Sequence, residues 1–281
     1  MSISASDVKG LRDSTGAGMM DCKRALVDAE GDVERAVELL RERGLSKAGK
    51  RAGRDTSEGT VAFSVEGGRG ALIELGCETD FVAKTPDFQG LAKNIADAIG
   101  SVGGLSDVDA ALAAKMDGGS VDDAIKAAVA KVGENIQLKR VASVDVAGVT
   151  GGYVHGAGTL GVLIGLETDK SADDVAEIVK DVAMHVAAHD PTPIAIDRSD
   201  MSADVVEKER AFLKSQALES GKPEAVVEKM VDGRINKFYA ENCLVEQKFV
   251  KDPDKSVKDI LVDAGQVARF VRFKLGEASP E

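Results

Sequence analysis

Apolar positions recur along the chain in three regimes. In the first, up to residue 45, they fall at helical spacing: Met19, Cys22 and Leu26 in one segment, then Val33, Ala36, Val37 and Leu40 at i, i+3, i+4, i+7. Ser4, with Asp7 three residues on, has the pattern that opens a helix before these two. Gly31-Asp32 separates the second helix from the third, and Gly44 stands where a C-cap is expected. Residues 1–45 are therefore expected to form three short helices with little core of their own, a module suited to docking. A segment over 46–58, carrying Lys47, Lys50, Arg51 and Arg54 and interrupted by Gly49 and Gly53, links it to the rest. It reads as a solvated linker or a local contact patch.

The second regime contains a repeat. Ile73-Glu74-Leu75-Gly76-Cys77-Glu78-Thr79-Asp80 aligns with Val162-Leu163-Ile164-Gly165-Leu166-Glu167-Thr168-Asp169, sharing the glycine and Glu-Thr-Asp. A shorter alternating strand and a glycine-rich turn precede each copy: Val61, Phe63 and Val65 before Gly67-Gly68, and Tyr153-Val154-His155 before Gly156-Ala157-Gly158. An amphipathic helix follows each, striped by Leu91, Ile95 and Ile99 in one and by Val175, Ile178, Val179, Val182 and Val186 in the other. The unit is a hairpin plus a helix, used twice. This predicts an α+β core of two repeated antiparallel-sheet-plus-helix subdomains, over 59–145 and 146–281.

In the third regime 202–219 and 223–239 read as a helical hairpin inserted in the second half. Ser220-Gly221-Lys222-Pro223 joins its arms, glycine ending one helix and proline starting the next. Such a hairpin projects to contact something, and a homodimer through it is one possibility. Val267, Arg269, Val271, Phe273 and Leu275 then alternate with Ala268, Phe270, Arg272 and Lys274, so 266–275 is expected to be a strand.

Charge narrows the partners. With 48 acidic and 36 basic residues the net charge is −12, which argues against direct nucleic-acid binding, since neutralising phosphates needs clustered Lys and Arg. No apolar run spans a bilayer, and the first residues have neither a secretory core nor the character of a transit peptide. Cys22, Cys77 and Cys243 have no paired spacing, so a reducing cytoplasm is the expected location.

Signals for catalysis are weak. Gly156-Ala157-Gly158-Thr159-Leu160-Gly161 spells a dinucleotide fingerprint but leads into a strand instead of opening a helix, which favours a hairpin turn. His185 and His189 have zinc-ligand spacing without the glutamate of H-E-x-x-H, and His155 is the only other histidine; packing is the better reading. There is no phosphate-binding G-x-x-x-x-G-K-[ST] loop and no nucleophile motif. No catalytic residue, metal site or cofactor is expected.

The repeat singles out one departure. After Glu167-Thr168-Asp169 the second copy passes to a plain helix start capped by Ser171. After Glu78-Thr79-Asp80 the first inserts Phe81-Val82-Ala83-Lys84-Thr85-Pro86. Two readings stay open: a hydrophobic staple closing the local core, or a protruding acid-plus-ring wedge aimed at a partner.

Several of these stretches carry a family resemblance. Thr79-Asp80-Phe81-Val82-Ala83-Lys84 resembles the TDFVAK motif of the elongation factor Ts family, and Leu11-Arg12 with Thr15-Gly16-Ala17-Gly18-Met19-Met20-Asp21-Cys22-Lys23 resembles its N-terminal signature. Gly133-Glu134-Asn135-Ile136, His155-Gly156, Ala183-Met184-His185-Val186-Ala187-Ala188 and Ser220-Gly221-Lys222-Pro223 add matches in order, so that the resemblance covers nearly the whole chain. It implies a ubiquitin-associated-like N-terminal module, a two-part core and a helical hairpin. Family members continue past the final strand into a C-terminal helical module. This sequence stops at Glu281, so that module's share of docking is expected to be missing or supplied by other contacts.

The resemblance further implies a guanine-nucleotide exchange factor of translation elongation. Its partner would be elongation factor Tu, GDP-bound or nucleotide-free, and its role the release of GDP. By resemblance Asp80, Phe81, Val82 and Ala83 form a wedge that dislocates the partner's Mg²⁺ site, with Lys23, Val132, Gly133 and His155 as further partner contacts. Rival readings are an adaptor binding through its helical module, and a metal-dependent hydrolase using His185, His189 and His155.

Overall fold

The computed structural model describes residues 3–51, 53–219 and 223–277, and the side chains of all of these except 45–50. Three helices open the chain: α1 (Ala5–Thr15), α2 (Met19–Asp28) and α3 (Val33–Arg51). The expected capping box starts α1. The Ser4 hydroxyl accepts from the Asp7 amide while the Asp7 carboxylate accepts from the Ser4 amide. Val8, Leu11, Cys22, Ala25, Leu26 and Ala36 form the module's small core.

Three expectations for this module need correction. Met19, Val33 and Val37 are exposed, standing outside the cluster that so small a bundle buries. Gly44 is not a C-cap, since α3 continues to Arg51 and takes up the start of the expected linker. A Cβ on Gly44 would stand 2.9 Å from the Cβ of Ala130, so this glycine allows the close crossing of α3 over a core helix.

The first half of the core follows. β1 (Glu58–Glu66) and β2 (Arg69–Cys77) form a hairpin. The short α4 (Asp80–Ala83) leads into the long α5 (Pro86–Val102), whose cap is Thr85 with Pro86 in its first turn. Next come α6 (Val108–Leu112), the two-residue strands β3 (Lys115–Met116) and β4 (Gly119–Ser120), α7 (Val121–Val132) and β5 (Ile136–Asp145). The sheet order is β1-β2-β5, all antiparallel.

The second half repeats the plan. β6 (Gly148–His155) turns through a 3-10 segment at Gly156–Gly158 into β7 (Leu160–Glu167), and α8 (Ala172–Ala188) follows with Ser171 as its cap. The glycine-rich motif is therefore a hairpin turn. Helices α9 (Ala203–Leu218) and α10 (Glu224–Asn242) make the expected helical hairpin, held by Leu213, Ala217, Val227, Val231 and Ile235. Its connecting Ser220, Gly221 and Lys222 lie outside the described residues. The chain then forms β8 (Lys248–Phe249), β9 (Asp252–Ser256), α11 (Val257–Leu261) and β10 (Gln266–Lys274), and β10 completes an antiparallel β10-β7-β6 sheet.

The two sheets pack face to face and each carries helices on its outer side. On β2 the alternate residues Ala71, Ile73, Leu75 and Cys77 point toward α5 and α7, while Leu72 points to the second sheet. On β7 the residues Leu160, Val162, Ile164 and Leu166 point toward α8, while Leu163 meets Val61, Leu72, Ala142, Val144 and Phe273 between the sheets. Both faces of each central strand are buried, which is why both read as unbroken apolar runs. Gly161 and Gly165 bring the sheets close: a Cβ at either would lie 2.5–2.6 Å from a valine methyl of the opposite sheet.

Candidate functional site

The Glu78-Thr79-Asp80 segment leaves β2 at the point where β5 begins, Cys77 pairing with Ile136. Two carboxylates are exchanged just beyond the end of this ladder. Glu78 accepts from the Asn135 amide at 2.6 Å. Glu134 accepts from the Thr79 amide at 3.0 Å and from the Thr79 hydroxyl at 2.8 Å. The Cys77 thiol donates to the Thr79 carbonyl at 3.2 Å. Burial, reinforced by the negative charge of Glu134, pushes that thiol up to about 11, so it remains a donor near neutrality.

Thr79 is also the cap of α4, its hydroxyl oxygen facing the Val82 amide at 3.4 Å. This single turn of helix carries Phe81 outward, with 81% of the residue exposed. The ring therefore closes no part of the protein's own core, and the staple reading does not hold. Asp80 beside it accepts from Lys84 Nζ at 2.6 Å, which lowers its pKa below the usual carboxylate value. Ala83 corrects another expectation. It is 6% exposed and packs in the first-half core, with Val82 half-buried against the same cluster. A wedge can present Asp80 and Phe81, whereas Ala83 anchors the turn from beneath.

The remaining expected residues lie on three other elements. Val132 is exposed at the end of α7, and Gly133 caps that helix in the left-handed conformation (φ 87°), immediately before Glu134. The α4 corner and the Val132–Gly133 corner are therefore joined through the Glu134–Thr79 contact. His155 is exposed at the end of β6, with Nδ1 2.9 Å from the Tyr153 hydroxyl. The turn after it abuts β1, where Gly158 leaves no room for a Cβ beside Thr60. Thr60 donates to Gln89 at 3.3 Å, and Gln89 donates at 2.7 Å to the Ala83 carbonyl. Two hydrogen bonds thus link Thr60 on β1, against which the turn packs, to the base of α4. Lys23 is exposed on α2, in the module that reaches the core through α3 and α7.

The other histidines pack. Gln247 donates through its amide nitrogen to the carbonyls of Pro191 at 3.1 Å and Glu241 at 2.7 Å, which turns its oxygen toward His185 Nε2 at 2.9 Å. Nε2 then carries the proton, and Nδ1 accepts from the Val250 amide at 3.3 Å. Both ring nitrogens are in use. Among the described residues no group of three or more His, Cys, Asp or Glu side chains could hold a metal ion. Nor is any helix of the described residues long and apolar enough to cross a membrane.

A family model described as elongation factor TS matches residues 78–277. The chain is 47% identical over 282 residues to the elongation factor Ts of Thioalkalivibrio sulfidiphilus (strain HL-EbGR7), covering 99% of this chain and 93% of that protein. It is 48% identical to that of Alkalilimnicola ehrlichii (strain ATCC BAA-1101 / DSM 17681 / MLHE-1), with the same coverage. Identity is 44% to that of Aquifex aeolicus (strain VF5), over 98% of this chain and 99% of the relative.

The chain belongs to the elongation factor Ts family. Membership makes it a protein of translation elongation. In this member of the elongation factor Ts family the exposed ring, its neighbouring carboxylate and the Gly133 cap stand around the Glu134–Thr79 contact. No local pattern assigns a role to Glu134, Thr79, Gln89 or Thr60. Glu134 and Thr79 are 55 positions apart, and only the pairing of β2 with β5 brings them together.

Proposed function

We propose that this protein binds GDP-bound elongation factor Tu, disturbs its Mg²⁺ site and promotes GDP release so that GTP can bind. Family membership supports the partner, and the observation that carries the mechanism is the phenylalanine held almost fully exposed on a capped turn. Burying such a ring in a partner pocket contributes roughly 2–3 kcal/mol. Mg²⁺ requires near-ideal octahedral oxygen coordination, so a small displacement of the elements around it weakens nucleotide binding steeply.

Exchange needs tighter binding to the nucleotide-free partner than to the GDP form, and by linkage nucleotide then expels the factor. Phe81 provides the apolar insertion and Asp80 a carboxylate against polar groups that support the metal. Lys23, Val132, Gly133 and His155 provide further contacts. The protein makes and breaks no bond on this reading, and its place is the cytoplasm. Stopped-flow release of fluorescent GDP from elongation factor Tu is the test. Release should accelerate with added protein, and an unchanged rate would refute the proposal.

A further inference from the structure

We infer that Glu134 is a positioning residue for Phe81, acting through Thr79. This rests on the exchange function proposed above and adds a residue outside the Thr79–Lys84 motif. Phe81 is on a helix of four residues, Asp80–Ala83. A single turn is not stable in water by itself, because nucleation is unfavourable. Something outside the turn must hold it in place.

Thr79 is where that hold is applied. Its amide and hydroxyl both donate to the Glu134 carboxylate, at 3.0 and 2.8 Å, and its carbonyl receives the Cys77 thiol at 3.2 Å. With its proton committed to Glu134, the hydroxyl oxygen is left to accept from the Val82 amide, as the cap requires. The Thr79 carbonyl also accepts from the Ala83 amide at 3.2 Å. Glu134 thus fixes the rotamer of the capping side chain, and the cap fixes the direction of the ring. The arrangement is reciprocal, because Glu78 accepts from the Asn135 amide at 2.6 Å. Hydrogen bonds to a carboxylate are stronger than neutral ones, so this is a firm anchor at the edge of the core.

Once Glu134 is lost, α4 populates orientations in which Phe81 is misaligned, and the rate falls by the competent fraction. Glu134→Ala should lower the GDP-release rate at saturating factor about tenfold, the loss expected from a charged hydrogen-bonding partner. Glu134→Gln keeps an acceptor for the Thr79 amide but offers no second acceptor to the hydroxyl, so it should fall between wild type and Ala. Amide exchange at Phe81, Val82 and Ala83 should quicken in both variants, with thermal midpoints near wild type.

A double-mutant cycle with Phe81→Ala decides the matter. If Glu134 acts through the ring, Glu134→Ala adds nothing in the Phe81→Ala background. Additive losses would mean that Glu134 touches the partner directly and would overturn the inference, as would a wild-type release rate in both Glu134 variants. Should Glu134→Ala unfold, the same cycle is run with Glu134→Gln. An inert Phe81→Ala would overturn the exchange mechanism itself, which keeps the two failures distinguishable.

Discussion

The hydroxyl of Tyr153 lies 2.9 Å from Nδ1 of His155, two residues further along β6. That contact occupies Nδ1 and leaves Nε2 of the exposed ring for a partner. His155→Ala should weaken binding to elongation factor Tu by about 1 kcal/mol, the worth of one hydrogen bond. Tyr153→Phe should weaken it less, because the His155 ring stays but loses the hydrogen bond that orients it. Calorimetric titration checks both, and wild-type affinity for folded His155→Ala would make His155 idle in recognition.

Phe81→Ala separates function from stability. The ring is 81% exposed, so the melting temperature should barely move, while GDP release slows severely as roughly 2–3 kcal/mol of partner binding is lost. Asp80→Ala should also slow release with most of the docking kept. Thermal melts and stopped-flow traces on the same samples make the comparison. A large drop in melting temperature for Phe81→Ala would contradict the structure.

The helical module has its own test. Deleting residues 1–45 should weaken the complex far more than it destabilises the core, since the module's apolar cluster is separate from those of the two halves. Gly44→Leu is the milder version. Its side chain has to enter the space where a Cβ alone would stand 2.9 Å from Ala130, and overpacking costs about 1–3 kcal/mol. Limited proteolysis of the intact chain should show cleavage between module and core rising in this variant. An unchanged digestion pattern would place the module's attachment elsewhere.

His185 predicts how acid acts on the second half. Its pKa is lowered to about 4, chiefly by burial, with the Gln247 bond opposing and His189 adding to the shift. An unfolded histidine titrates near 6.5. Below that value the unfolded chain takes up a proton that the folded chain refuses, so stability falls as pH drops from about 6.5 toward 4 and then levels off. The loss should be on the order of 2 kcal/mol. Denaturant unfolding of wild type and His185→Gln at pH 7 and pH 5 checks it. The variant should lose less stability between those pH values, and equal losses would remove His185 as the source.

Much of the fold was legible in the residues. The shared glycine and Glu-Thr-Asp of the repeat locate β2 and β7, and the alternation over 266–275 locates β10. What escaped the sequence depends on neighbours. Met19, Val33 and Val37 have apolar spacing but stand outside the buried cluster, and periodicity registers the stripe without showing which of its members are covered. Gly44 resembles a terminus because glycine ends helices, yet here it clears a crossing, and that reason belongs to Ala130, 86 positions away. In the candidate site, the inserted turn and its ring stand out in the sequence because the second repeat lacks them. The hydrogen bonds beneath are long-range and leave no local pattern.

Gly161 and Gly165, by seating the two sheets backbone against side chain, remove the slack that would let one half slide over the other. Phe81 belongs to the first half and His155 to the second, so the span between them behaves as the gap of a caliper. A partner gripped at both points meets a span set by the packing of the two sheets. On the proposed function, the yielding is then done by the partner, and stiffness itself becomes the source of exchange.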